Sequence, residues 1–222
     1  GAVLMELGMP FSAPLADGPT IQNSTQIALE NGMDIEQCLQ AVSDLRKRGI
    51  TIPLMLMGYY NPILSYGEER FVEKAAECGA NGFIIPDLPP EEGASFEDHC
   101  RHNELALSYL LAPTSTEARI KLVSKKASGF VYLVSLTGVT GARLDLPNYL
   151  QDFVTLVRRH VTDPLAIGFG ISTPDQAQEV GKLVEGVIVG SKLINIAGDS
   201  DNPAMACGQF VSEMTTALRH NN

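Results

Sequence analysis

Two carboxylates near the start of the chain have the types and the spacing of an acid/base pair. Glu6 follows the apolar run 2–5, which predicts a buried strand with Glu6 at its C-terminal end. A carboxylate in an apolar setting is costly, so it needs a partner or a chemical task. Asp17 lies in segment 10–19, which is too rich in proline and glycine to form a helix. A strand end and the loop that follows it would bring both groups to one site.

Two glycine-rich segments late in the chain are candidates for binding a phosphate group. Residues 168–172 and 189–192 each follow an apolar strand and precede a helix. Glycine lets backbone N–H groups approach an anion, and a helix N-terminus adds a favourable dipole. A single segment of this kind is more often a tight turn, and it is the pair in successive late loops that gives a phosphate site equal weight. Neither segment matches the dinucleotide-binding or P-loop pattern.

A third glycine-rich loop, residues 135–143, is long and polar. Glycine hinges would suit a mobile lid, in which the Thr140 hydroxyl meets the substrate or the catalytic Asp17. An irregular surface loop is the alternative interpretation.

Short apolar segments alternate with amphipathic ones along the whole chain. The apolar segments predict strands at residues 2–8, 53–58, 82–87, 105–111, 130–135, 165–169 and 186–189. The amphipathic segments predict helices at residues 24–30, 35–48, 68–78, 90–102, 116–126, 146–160, 174–183 and 203–219. Continuously apolar strands are typical of a parallel sheet covered on both faces. One α/β domain is expected, as either a doubly wound sheet or a (β/α)8 barrel, and both place a site at the C-terminal ends of strands.

The composition excludes several classes of protein. The net charge of -10 argues against nonspecific nucleic-acid binding, which needs a basic surface. The four cysteines lie far apart without metal-binding spacing, so we expect reduced thiols, no metal and a cytoplasmic protein. No apolar run approaches the ~20 residues of a membrane span, and no signal peptide is evident.

Several motifs in order give the chain a resemblance to a known family. They are Glu6-Leu7-Gly8, Pro10-Phe11-Ser12, Pro14-Leu15-Ala16-Asp17-Gly18-Pro19, Tyr59-Tyr60-Asn61-Pro62, Pro86-Asp87-Leu88-Pro89-Pro90-Glu91-Glu92, Gly138-Val139-Thr140-Gly141-Ala142, Gly168-Phe169-Gly170-Ile171-Ser172 and Val187-Ile188-Val189-Gly190-Ser191. With these motifs, residues 5–196 resemble the α subunit of tryptophan synthase. The resemblance implies a single (β/α)8 TIM-barrel domain over residues 1–222 that starts at the family's second strand and lacks the first βα unit.

The resemblance also implies an activity and a partner. The family cleaves indole-3-glycerol phosphate to indole and glyceraldehyde 3-phosphate in tryptophan biosynthesis. The implied partner is a β subunit in an α2β2 heterotetramer. Pyridoxal phosphate is expected only in that partner, and no cofactor in this chain.

Roles carry over from the family by resemblance. Glu6 is the acid/base that serves indole C3 and the glycerol hydroxyl, and its apolar pocket should raise its pKa. Asp17 accepts the indole N–H. The remaining substrate-binding positions are the pocket tyrosines Tyr59 and Tyr132, the lid hydroxyl Thr140, and the phosphate-binding Gly141, Phe169, Gly170, Gly190 and Ser191. Core packing is the alternative for either tyrosine.

Two further departures from the family pattern concern the partner. Ala13 stands where the family usually has Asp, and Leu136 stands where many members have Arg. Both changes remove charge from loops that communicate with the β subunit, so weakened activation by that partner is expected. Two alternatives stay open: a weakly active scaffold subunit that activates a β partner, and a stand-alone lyase.

Overall fold

The computed structural model describes residues 1–134, 148–168 and 170–219. The strands found there are β1 (Met5–Gly8), β2 (Leu54–Met57), β3 (Gly82–Ile84), β4 (Ala106–Ser108), β5 (Leu110–Leu111), β6 (Val131–Val134), β7 (Leu165–Gly168) and β8 (Gly186–Val187). The helices are α1 (Pro19–Glu30), α2 (Ile35–Lys47), α3 (Tyr60–Tyr66), α4 (Glu68–Cys78), α5 (Ala94–His102), α6 (Glu117–Lys126), α7 (Asn148–Arg158), α8 (Pro174–Gly181), α9 (Ser191–Asp199) and α10 (Pro203–Arg219).

The chain divides into two compact units, each with its own parallel sheet. Ala2–Tyr109 with Lys126–Ser128 form the β1–β4 unit. Gly1, Leu110–Lys125 and the described residues from Gly129 onward form the β5–β8 unit. In each sheet the four strands lie side by side in chain order, and every pairing is parallel. Neighbouring strands that are parallel and joined by helices confirm the predicted βα repeat. That the chain forms a single domain stays a prediction.

The register of the β1–β4 sheet separates its two faces. Residues paired in a parallel sheet point to the same side, and every second residue along a strand does so too. Phe83 of β3 lies 5.1 Å from the Phe71 ring of α4 and 5.2 Å from the Phe96 ring of α5, so its row faces the helices. The opposite side, which we call the inner face, carries two rows: Glu6, Met55, Gly82 and Ala106, then Gly8, Met57, Ile84 and Ser108.

Gly82 is required by the close approach of its neighbouring strand. A Cβ atom at this position would lie 2.3 Å from the backbone oxygen of Ala106, which no real contact allows. The backbone of β4 therefore lies close to that of β3 at Gly82, in the same row as Glu6.

A single arginine joins the segments that lead into β2 and β3. The guanidinium of Arg46, near the end of α2, donates to four oxygen atoms, which belong to Gly79, Ile50, Ile52 and Asn81. The Asn81 side chain in turn accepts the Leu54 N–H at the start of β2. These contacts lie before the strands begin, so they stabilise the end of the sheet opposite to the loops that follow the strands.

The β5–β8 unit has its own sequence-determined features. The predicted start of α8 is confirmed, because the Thr173 side chain accepts the Gln176 N–H while the Gln176 side chain accepts the Thr173 N–H. In the sheet, a Cβ at Gly168 would lie 2.1 Å from the Tyr132 hydroxyl, so glycine is needed beside that tyrosine.

Some elements differ from the sequence-based prediction. The strand expected over residues 105–111 is interrupted at Tyr109, whose buried side chain donates a 2.5 Å hydrogen bond to Glu97 of α5. Helix α3 was not predicted, and the helix expected after the glycine segment 189–192 was given no range of its own; it is α9. Pro62 lies in the first turn of α3, where its missing N–H costs nothing. Helix α1 begins at Pro19, earlier than the predicted residue 24, because proline suits the first helical position.

Candidate active site

Glu6 lies inside strand β1, on the inner face of the β1–β4 sheet. The prediction that it ends the strand was wrong, because the ladder to β2 continues through Leu7 and Gly8. Burial raises the Glu6 pKa from 4.5 to about 7, as the apolar run predicted. Its Oε1 atom is buried without a hydrogen-bond partner in the described part of the chain. A carboxyl group held this way exchanges a proton near neutral pH.

The inner-face row beyond Glu6, toward the C-terminal ends of the strands, is largely apolar. Met57 is half-buried and Gly8 is exposed, so this end of the sheet reaches solvent near Glu6. Ile84 is fully buried in the same row. Ser108 is also buried, and its hydroxyl has no partner among the described residues. The surroundings are therefore apolar enough to account for the raised pKa of Glu6.

Asp17 belongs to the loop between β1 and α1, and the structure brings it to Tyr59. The Tyr59 hydroxyl donates to Asp17 Oδ2 at 3.0 Å and accepts the Ala16 N–H at 2.8 Å. Partial burial raises the Asp17 pKa, and the hydrogen bond from Tyr59 opposes that rise. Burial raises the Tyr59 pKa to about 12, so its hydroxyl remains a donor. The segment 10–19, predicted to contain no helix, is free of helix through Gly18, and its last residue, Pro19, begins α1.

Tyr59 is buried, and its ring also supports the loop that carries Asp17. The Phe11 ring lies 5.5 Å away from it, measured between centroids. The residue precedes α3 in extended backbone geometry, two positions after the end of strand β2. Tyr59 is thus a hydrogen-bonding residue as well as the aromatic residue expected from sequence.

A carboxylate to which the sequence assigned no role lies on the next loop. Asp87 follows β3, and its Oδ1 accepts the Tyr60 N–H at 2.9 Å. The sequence did contain a signal that could have identified Asp87 as a site residue. It is an acidic residue at the end of a strand, and it lies in the motif 86–92 that supports the family resemblance. Sequence spacing alone could not pair it with a residue 27 positions earlier.

Four of the other predicted binding residues belong to the β5–β8 unit, and the remaining three lie outside the residues that the structure describes. Tyr132 is buried on β6 beside Gly168. Gly170 has a φ of 81°, a conformation that favours glycine. Gly190 is the N-cap of α9 and Ser191 its first residue, both exposed, so backbone N–H groups are available to an anion there. Thr140, Gly141 and Phe169 lie outside the described residues.

Metal ligands and membrane spans are absent from the part of the chain that the structure describes. No group of three His, Cys, Asp or Glu residues among the described residues could hold a metal ion. The four cysteines are free thiols. No helix in this part of the chain is both long and apolar enough to cross a membrane.

Parallel βα units with a proton-exchanging carboxyl group on the inner face of their sheet are the features of (β/α)8-barrel enzymes that use acid/base chemistry. The family profile of the tryptophan synthase alpha chain matches residues 1–219, and the chain belongs to this family.

Individual relatives agree with this assignment. The tryptophan synthase alpha chain of Dehalococcoides mccartyi is 49% identical over 218 residues, which cover 98% of this chain and 85% of the relative. The tryptophan synthase of Saccharomyces cerevisiae is 50% identical over 90% of this chain, but this chain spans only 28% of that protein. A solved tryptophan synthase complex from Pyrococcus furiosus is similar with a TM-score of 0.87 and 33% identity, over 97% of this chain and 87% of that chain.

Proposed function

We propose that Glu6 and Asp17 catalyse the α reaction of tryptophan synthase in this chain. The family's reaction, a lyase step of tryptophan biosynthesis, cleaves indole-3-glycerol phosphate to indole and glyceraldehyde 3-phosphate. The observation that carries the residue assignment is the buried Glu6 carboxyl group, whose pKa of about 7 suits a group that both gives and takes a proton.

The cleavage resembles a retro-aldol reaction and needs two proton movements. Indole leaves poorly as a carbanion, so its C3 atom must be protonated before the bond to the glycerol chain breaks. The adjacent glycerol hydroxyl then loses its proton, and its oxygen becomes the aldehyde oxygen as the bonding electrons return to indole. Glu6 serves both movements: it donates to C3 as a carboxylic acid, and as a carboxylate it accepts the hydroxyl proton.

Asp17 has the second role, because C3 protonation places positive charge on the indole ring. A carboxylate that accepts the indole N–H stabilises this charge as it develops. The Tyr59 hydroxyl donates to Asp17 Oδ2. Among the described residues no donor bonds to Oδ1, so this oxygen is available to accept the indole N–H. The raised pKa of Asp17 follows from the partial burial that also strengthens its attraction to a cation.

The remaining predicted residues bind the substrate in this proposal. Tyr132 contacts the indole ring, and Thr140 acts from the loop 135–143. The phosphate is bound by backbone N–H groups around the glycine segments, at Gly141, Phe169, Gly170, Gly190 and Ser191. The exposed N-terminus of α9 supports this assignment, because its N-cap residue, Gly190, has no side chain to cap the first turn and the helix dipole favours an anion there.

The proposed partner is a tryptophan synthase β subunit, in an α2β2 assembly in the cytoplasm. Pyridoxal phosphate belongs to that partner, and this chain uses no cofactor. The loop after β1 is a candidate contact surface, because Leu15 is 93% exposed and Ala13 is exposed beside it. Since Ala13 lacks the usual carboxylate, we propose weaker activation by the β subunit. Full stimulation of indole release by an added β subunit would refute that part.

Turnover of indole-3-glycerol phosphate by the isolated chain tests the reaction itself. Glu6→Gln should lower kcat ~10²–10⁴-fold, since it removes the acid/base group. The matched control is Glu73→Gln, which makes the same change on the exposed side of α4. Equal activity in both variants would show that Glu6 does not act in the reaction and would favour a scaffold role for the chain.

A further inference from the structure

Asp87 acts as a helix cap from a neighbouring strand. Helix α3 begins at Tyr60, and its N-cap residue, Tyr59, offers no side-chain hydrogen bond to the first turn. Asp87, from the loop after β3, accepts the Tyr60 N–H at 2.9 Å instead. A carboxylate at a helix N-terminus is favoured both by the unpaired N–H groups and by the helix dipole.

The same contact fixes the residue that holds Asp17. The Tyr60 nitrogen shares a planar peptide unit with the carbonyl group of Tyr59, so orienting this N–H restricts the Tyr59 backbone. The buried Tyr59 side chain then reaches the β1 loop through its hydroxyl, which is bonded to both Ala16 N and Asp17 Oδ2. Three loops that follow three adjacent strands are thereby joined by hydrogen bonds on either side of the covalent Tyr59–Tyr60 unit.

We propose that Asp87 is a positioning residue for the reaction, which orients the Asp17 carboxylate through the Tyr60 amide and the Tyr59 hydroxyl. This inference rests on the proposed role of Asp17 toward the indole N–H. In this proposal Asp87 acts through the Tyr60 amide and not on the substrate itself. The effect of Asp87 on kcat therefore depends on Tyr59. This effect is separate from the contribution to folding stability that any helix cap makes.

The chain provides a matched control for this distinction. Asp34 is the N-cap of α2, and its Oδ1 accepts the Gln37 N–H at the same distance of 2.9 Å. Replacing either aspartate by alanine removes one carboxylate-to-amide hydrogen bond from a helix start. Only Asp87 is joined to Asp17, so the two variants should lose similar stability but differ in their kinetics.

The experiment measures kcat and KM of the full chain for Asp87→Ala, Asp87→Asn and Asp34→Ala. Asp87→Ala should lower kcat about fivefold with little change in KM, the size expected for one lost hydrogen bond. Asp87→Asn retains an oxygen acceptor and should stay within about twofold of wild type. Asp34→Ala should leave kcat unchanged. Wild-type kcat in Asp87→Ala, or an equal loss in Asp34→Ala, would overturn the proposal.

A double-mutant cycle tests the route through Tyr59. Tyr59→Phe should lower kcat about tenfold, because it removes the bond to Asp17 and leaves the Ala16 N–H without its partner. In that background Asp87→Ala should have no further effect, since the connection is already broken. Losses that multiply independently would show that Asp87 does not act through Tyr59.

A binding measurement separates this inference from the reaction. Benzofuran has the shape of indole without its N–H, so the ratio of the two dissociation constants reports on the Asp17 acceptor. Asp87→Ala should lower this preference for indole about fivefold, while Asp34→Ala leaves it unchanged. A wild-type chain that prefers indole but does not cleave indole-3-glycerol phosphate would refute the reaction and leave this test valid. A preference that is unaltered in Asp87→Ala would overturn the positioning role.

Discussion

The buried Glu6 carboxyl group should make the stability of the folded chain depend on pH. Its pKa is raised from 4.5 to about 7 by burial alone. Between these values the folded chain keeps a proton that the unfolded chain has lost. The free energy of unfolding therefore falls as pH rises through this window. At about 1.4 kcal/mol for each pKa unit, ionised Glu6 destabilises the folded chain by about 3 kcal/mol above pH 8.

Glu6→Gln removes this dependence because glutamine does not ionise. Relative to wild type, the free energy of unfolding of the variant should rise by about 2–3 kcal/mol between pH 5 and pH 8. Comparing the two pH values cancels the constant cost of placing a neutral amide in the site. The variant should thus be inactive yet gain stability in alkaline solution, as expected where burial serves function at the expense of stability.

Urea unfolding followed by circular dichroism at pH 5, 6, 7 and 8 measures the effect, with linear extrapolation to water. Glu73→Gln is the control, since this exposed residue should give the same difference from wild type at every pH. A difference between Glu6→Gln and wild type that does not change with pH would refute the reasoning. It would mean that Glu6 is hydrated and lacks the pKa on which its proposed role depends.

Three further substitutions test contacts within the β1–β4 unit by urea unfolding. Gly82→Ala should destabilise the chain by more than about 3 kcal/mol, because its Cβ would overlap the Ala106 carbonyl oxygen, and wild-type stability would contradict the pairing of Gly82 with Ala106. Arg46→Met should cost about 3 kcal/mol by leaving several oxygens without a donor, while kcat stays unchanged because these contacts lie before the strands begin. Ser108→Ala should be neutral or stabilising by up to about 1 kcal/mol, since it removes a buried hydroxyl without a partner among the described residues, and a clear loss of stability would show that this hydroxyl is bonded in solution.

Local sequence features were enough to predict the repeating elements and the chemical candidates. The apolar runs located all eight described strands, although the interruption at Tyr109 was missed. The residue at the break, Tyr109, bonds through its side chain to Glu97 of α5, a contact that no local pattern encodes. Helix α3 was missed because it is only seven residues long and contains a proline, whereas the helix after the glycine segment 189–192 was expected without a range.

The sequence by itself determined which residues could act. Glu6 in an apolar run, Asp17 in a proline-rich loop and the late glycine segments were all evident from residue type and order. The motifs around them also supplied the family, which the comparisons confirmed.

Only the tertiary structure decided the environment of those residues. Burial by neighbouring strands gives Glu6 its pKa, and Tyr59 reaches Asp17 across 42 positions of the chain. Asp87 reaches the Tyr60 amide across 27 positions. These contacts form because adjacent parallel strands bring the loops at their C-terminal ends together, however far apart those loops lie in sequence.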